Sequence, residues 1–153
     1  MAIKPKTMIT MQMGGTAVSH ARTDISARDV TAIIDEPEVR GGTNQGLTPT
    51  ETLVSALIGC TNVISQRLAH RDGVTFGEMK IDARAQFDRR GAGLEAEIDV
   101  PFPSIELKIN VQTDATPQQL EQIKLDLARY CPIAKVIRAA GTQIDEIWLT
   151  EPL

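Results

Sequence analysis

From Met79 to Asp88 apolar and polar positions alternate without a break. Met79, Ile81, Ala83, Ala85 and Phe87 fall on one side, and Lys80, Asp82, Arg84, Gln86 and Asp88 on the other. A period of two marks a half-buried strand. Ile105, Leu107, Ile109 and Val111 repeat the pattern against Glu106, Lys108, Asn110 and Gln112. Asp88-Arg89-Arg90-Gly91-Ala92-Gly93 supplies turn chemistry between the two. Leu94 to Pro103 reads either as an extra strand or as an edge segment cut by Pro101 and Pro103, because proline cannot donate to a ladder. Ahead of these, Thr7 to Met13, a Gly14-Gly15 turn, Ala17 to Thr23 and Val30 to Ile34 predict a strand meander. Gln143 to Thr150 predicts a last short strand.

Between the strands the period changes to that of a helix. Thr48-Pro49-Thr50-Glu51 combines a threonine N-cap, a proline at the first helical position and a glutamate three residues past the cap. Leu53, Ala56, Leu57, Cys60, Val63, Ile64 and Leu68 then share a face, and Gly73 ends the run. Thr116-Pro117-Gln118-Gln119 repeats the device ahead of Leu120, Ile123, Leu127 and Tyr130. The residue before a proline avoids the α region, so this second helix stops or kinks at Cys131-Pro132. Pro132 then opens a short third helix through Ile133, Val136 and Ile137, with Cys131 at its N-cap. The class is α+β, antiparallel sheets packed on helices, in one domain spanning residues 1–153.

Charge and composition narrow the partners. A net charge of −4, charges of both signs spread along the chain and 3% aromatics disfavour nucleic acid and membrane surfaces. The N-terminus lacks a run long enough for a signal peptide or membrane span, and two cysteines are too few for a disulfide scaffold. The expected setting is the cytoplasm and the expected partner a small molecule.

The two cysteines carry the candidate chemistry. Cys60 sits on an apolar helix face, where a thiol is commonly a small packed hydrophobe. At a helix N-terminus Cys131 meets unpaired N–H groups and the positive end of the dipole, which lower a thiol pKa. There is no Cys-x-x-Cys, and neither His20 nor His70 has metal-ligand spacing to a thiol.

Asp35, the run Gly41-Gly42-Thr43-Asn44-Gln45-Gly46, Thr48-Pro49-Thr50-Glu51 leading to Gly59-Cys60, and Tyr130-Cys131-Pro132 together resemble the OsmC/Ohr superfamily of small thiol proteins. The resemblance implies an interlocked homodimer whose two long helices carry the cysteines. It also implies Cys60 as the thiol that attacks an organic hydroperoxide and Cys131 as the thiol that resolves it. An external dithiol reductant, without a bound cofactor, completes the cycle.

Two features depart from the peroxidase members. Those resemble one another in an arginine on the first hairpin and a glutamate directly after the motif proline. Here the hairpin reads Met13-Gly14-Gly15-Thr16, and the glutamate is displaced to Glu51. Nine residues along a helix put Glu51 about 180° from Cys60, which favours a capping role. The shifted glutamate is similar to that of a less characterised OsmC-like subgroup. Arg22, Arg28 and Arg40 are the substitute cations, Arg40 because it precedes the glycine-rich run. The alternative function is a protein that binds or senses a small electrophilic or apolar ligand without turnover. Tyr130 and Trp148 read as core or interface packing.

Overall fold

A computed structural model describes residues 7–153. The chain forms two compact units, one ending at Leu53 and one beginning at Val54.

The first unit holds β1 (Gly14–Ala17), β2 (Thr23–Ala27) and β3 (Val30–Ile34) as an antiparallel meander in the order β1-β2-β3. The strand expected over residues 7–13 is absent, and β1 starts where a glycine turn was expected. The reversal instead lies at residues 18–22, where the Ser19 hydroxyl accepts the N–H groups of Ala21 and Arg22. Gly15 serves close cross-strand approach, since a Cβ there would sit 3.3 Å from the Ile25 side chain.

After β3 the chain folds around Asp35, which is fully buried. Its carboxylate accepts N–H bonds from Glu36, Thr43 and Gln45 and the Thr43 hydroxyl. These bonds, the Thr43 hydroxyl foremost, hold the Asp35 pKa below the usual carboxylate value. The glycines of this loop are steric requirements. A Cβ on Gly42 would fall 1.8 Å from the Glu36 carbonyl oxygen, and one on Gly46 2.1 Å from that of Ile33. The loop delivers Thr48 to the start of α1 (Pro49–Arg71). The predicted capping box forms: Thr48 Oγ1 accepts from Glu51 N, and Glu51 Oε2 accepts from Thr48 N at 2.9 Å.

The second unit contains the rest of α1, then β4 (Phe76–Ala85), β5 (Ser104–Thr113), α2 (Pro117–Tyr130), α3 (Pro132–Ala139) and β6 (Gln143–Glu151). Its sheet runs β4-β5-β6. Antiparallel pairing was expected throughout, but β6 joins β5 in parallel, with Ile109 opposite Trp148. The physical reason is the connection: α2 and α3 form a crossover, and a crossover returns the chain in the direction it left. Residues 86–103 hold no strand. They fold as a long loop whose Phe87 and Phe102 rings lie 5.0 Å apart.

Ile105, Leu107, Ile109 and Val111 of the central strand are buried, as their alternation requires. Leu57, Leu68 and Ala69 of α1, Ile123 and Leu127 of α2, and Ala134 and Ile137 of α3 join the same core. The α1 face differs from the predicted one. Leu53 and Val63 are exposed, while Thr61 and Ser65 are buried. Counting apolar residues alone displaced the stripe, because small hydroxyl residues pack inward when their polar atoms are satisfied. Ser65 does this by donating to the Asn62 carbonyl at 3.1 Å. Trp148 packs against the core with its ring 6.2 Å from Phe76, whereas Tyr130 is exposed. Two long helices were expected to carry the cysteines; among the described residues there are three α-helices, and Cys131 lies in the break between the second and third.

Candidate functional site

Both sulfurs belong to the second unit and they touch. Cys131 Sγ donates to Cys60 Sγ at 3.0 Å, although the residues lie 71 positions apart. Cys60 comes from the middle of α1, where helical spacing sets it at the border between the buried stripe and solvent, and it is half-buried. Cys131 comes from the α2–α3 break, where Pro132 forbids continuation of α2, and it is fully buried.

Cys131 caps α3 as expected, its sulfur accepting from Ala134 N at 3.4 Å. The expected consequence does not follow. Burial, then the bond to Cys60, push the Cys131 thiol up to about 11, outweighing the lowering by the N–H groups of Ala134 and Ile133. A helix terminus stabilises a thiolate only while the sulfur keeps other solvation, and burial removes it. At neutral pH Cys131 therefore remains a thiol and a hydrogen-bond donor. The more accessible sulfur is the acceptor, Cys60. An electrophile arriving from solvent meets Cys60 first, with a protonated thiol waiting behind it.

The other candidates belong to the first unit. Glu51 is exposed and engaged with the Thr48 cap. Arg40 is an exposed residue bonded through Nε to Glu36 at 2.7 Å. Arg22 binds Asp24 at 2.7 Å through Nε and Gln45 through Nη1. Arg28 occupies the β2–β3 turn with a φ of 55°. Among the described residues, neither sulfur receives a hydrogen bond from an arginine or a lysine. An ion pair also links the helices: Arg71 at the end of α1 binds Asp126 of α2 at 2.6 Å and its neighbour Asp72 at the same distance. Sequence reasoning missed Asp126 because a carboxylate on an amphipathic helix reads as solvated, yet this one is buried.

Among the described residues no helix is long and apolar enough to cross a membrane. A family model described as OsmC-like protein matches residues 42–146, a span that holds both cysteines and the Asp126 clamp. No curated protein matches the sequence. Solved structures share the fold. An OsmC like protein from Mycoplasma pneumoniae is 11% identical with a TM-score of 0.77, over 93% of this chain and 97% of that one. An organic hydroperoxide resistance protein from Elizabethkingia anophelis is 14% identical with a TM-score of 0.69, over 96% of this chain and 100% of that one. The organic hydroperoxide resistance protein OhrB of Bacillus subtilis is 15% identical with a TM-score of 0.60, over 92% and 98%.

Proposed function

Because the chain belongs to the OsmC-like protein family, we propose that it reduces organic hydroperoxides with its thiol pair, Cys60 attacking and Cys131 resolving. The observation that carries this reading is the 3.0 Å contact between a half-exposed sulfur and a fully buried one. The names of two structures of like fold, both organic hydroperoxide resistance proteins, support it.

The chemistry runs in three balanced steps. Cys60, as thiolate, attacks the outer oxygen of the hydroperoxide; the O–O bond breaks, Cys60 becomes a sulfenic acid, and the departing alkoxide takes a proton to leave as the alcohol. Cys131 then displaces hydroxide from the sulfenic sulfur and releases its own proton, giving water and a disulfide. An external dithiol reopens the disulfide by exchange and is itself oxidised. The second step requires little motion, since a disulfide closes at about 2.05 Å. A resolving thiol already in contact captures the sulfenic acid before a second peroxide overoxidises it.

Glu51 and Arg40 take supporting roles in this reading, Glu51 by starting the helix that carries Cys60 and Arg40 by tying the lead-in loop through Glu36. We read the assembly as a homodimer. Among the described residues before Val54 only Asp35 and Thr48 are buried, and Met8, Ile9, Met11, Met13 and Val30 are exposed. A three-stranded sheet none of whose residues is fully buried is marginal in water, and a second copy of the chain supplies the cover. A reducing compartment such as the cytoplasm keeps both thiols available between cycles.

The test is steady-state consumption of cumene hydroperoxide with a dithiol reductant. The expected result is many turnovers per chain, abolished by Cys60→Ser and reduced to overoxidation-limited cycles by Cys131→Ser. That no arginine or lysine among the described residues is bonded to either sulfur favours a second reading, a thiol pair that registers an electrophile once. Stoichiometric oxidation without turnover selects that reading and rejects the first.

A further inference from the structure

Two polar contacts join α1 to the segment that carries Cys131, and they lie far apart along the helix. One is the sulfur contact at 3.0 Å. The other is Arg71 Nη2 donating to Asp126 Oδ2 at 2.6 Å. Arg71 follows Cys60 by three turns of α1, about 16 Å along the axis and about 20° around it, so both side chains leave the helix on nearly the same side. Asp126 sits in the last turns of α2, and Cys131 is the C-cap of that helix. The Cys131 N–H bonds to the Leu127 carbonyl at 2.9 Å, which ties the cap to the turn that holds Asp126.

Asp126 is buried, a costly position for a carboxylate unless it is paired. The bond from Arg71 is the main reason its pKa lies below the usual carboxylate value, with Gln122 and Arg129 adding to the effect. The other ion pairs here are local. Arg71 with Asp72 joins chain neighbours, and Arg129 reaches Asp126 at 3.5 Å from the next turn of the same helix. Neither holds one helix against another. The Arg71–Asp126 bond does, and a charged, directional hydrogen bond fixes register where apolar packing, which has no direction, leaves room to slide.

A disulfide tolerates little error in that register. The sulfurs must close from 3.0 Å to about 2.05 Å with a torsion near 90°. A single contact in the middle of α1 leaves the helix able to swing about it; a second on the same side, about 16 Å away, opposes that motion.

We propose that Arg71 and Asp126 are positioning residues for the thiol pair, their ion pair fixing the register of α1 against α2 at which Cys60 and Cys131 meet. The inference rests on the two cysteines as the working pair, and it concerns closure of the disulfide rather than attack on a peroxide.

The experiment is an equilibrium without peroxide. The reduced chain is brought to balance with glutathione and glutathione disulfide: the protein dithiol gives up two electrons and two protons, the glutathione disulfide takes them to become two glutathione thiols, and alkylation with intact-mass analysis reads the closed fraction. Arg71→Met and Asp126→Asn are each expected to lower the closure constant about tenfold, which is about 30 mV in potential. The double variant is expected to lose no more than either single one, since both remove the same bond. Arg71→Lys keeps a cation within reach and is expected to recover part of the loss, whereas Asp72→Asn leaves the bond to Asp126 in place and is expected to match the wild type. Equal losses of thermal stability in the oxidised and reduced chains, with an unchanged closure constant, would make the ion pair structural alone and overturn the proposal. Arg71 is half-exposed at the end of α1, so Arg71→Met is expected to fold and carries the test should Asp126→Asn not fold. An unchanged constant in a chain that turns over cumene hydroperoxide overturns this inference alone; a lowered constant in a family of variants whose wild type does not turn over upholds it and rejects the enzymatic reading.

Discussion

A single residue shows how burial reverses an expectation drawn from position alone. Cys131 occupies the N-cap that should make it the more acidic thiol, yet removal from water raises its pKa to about 11. Asp35 is equally buried and shifts the other way, because its charged form receives four hydrogen bonds, whereas at Cys131 burial outweighs what the backbone N–H groups supply. The sign of its effect on stability follows. With its folded pKa depressed, Asp35 contributes stability above the unfolded carboxylate pKa, and that contribution is lost as pH falls through the folded value. Asp35→Asn is therefore expected to lower the urea midpoint at pH 7 and to flatten its fall between pH 5 and 2. A variant with the wild-type midpoint and acid dependence would show that the loop closes without the carboxylate. Asp35 was quoted from the sequence as part of a motif, but its four partners come from a loop that no periodicity describes. Cys60 and Cys131 were both visible as candidates.

At the scale of elements, legibility followed local chemistry. Thr48 and Thr116 announced the helix starts because their capping boxes involve only four residues each, and both form with the expected partners. The alternation of β5 was readable because one face of the strand is wholly buried. Gly14-Gly15 misled, since glycine serves close strand approach as readily as a turn. The parallel pairing of β6 was hidden for a different reason. Nothing within Gln143–Glu151 records direction, which is set by the path of α2 and α3. The unpaired segment from Thr7 to Met13 keeps strand-like composition without a ladder, which fits a partner outside the single chain.

For the whole molecule, the sequence indicated α+β architecture and a cysteine pair, while the contact between sulfurs is a product of long-range packing. Alpha1 and the α2–α3 region are joined by the shared core and the Arg71–Asp126 ion pair, far apart along the chain. Assembly is the other property absent from local pattern. Sedimentation at micromolar concentration is expected to give a mass near twice the 16.7 kDa of one chain. A monodisperse monomer would contradict the reading of the exposed N-terminal sheet as an interface.

The central claim is that contact between the two sulfurs makes Cys131 the immediate trap for oxidised Cys60. One equivalent of cumene hydroperoxide added to the fully reduced chain, followed by rapid acid quench and intact-mass analysis, tests it directly. The account predicts loss of two hydrogens and of both free thiols in one chain, with a Cys60–Cys131 cross-link in the peptide map. Accumulation of Cys60 sulfinic acid with Cys131 still free would contradict it.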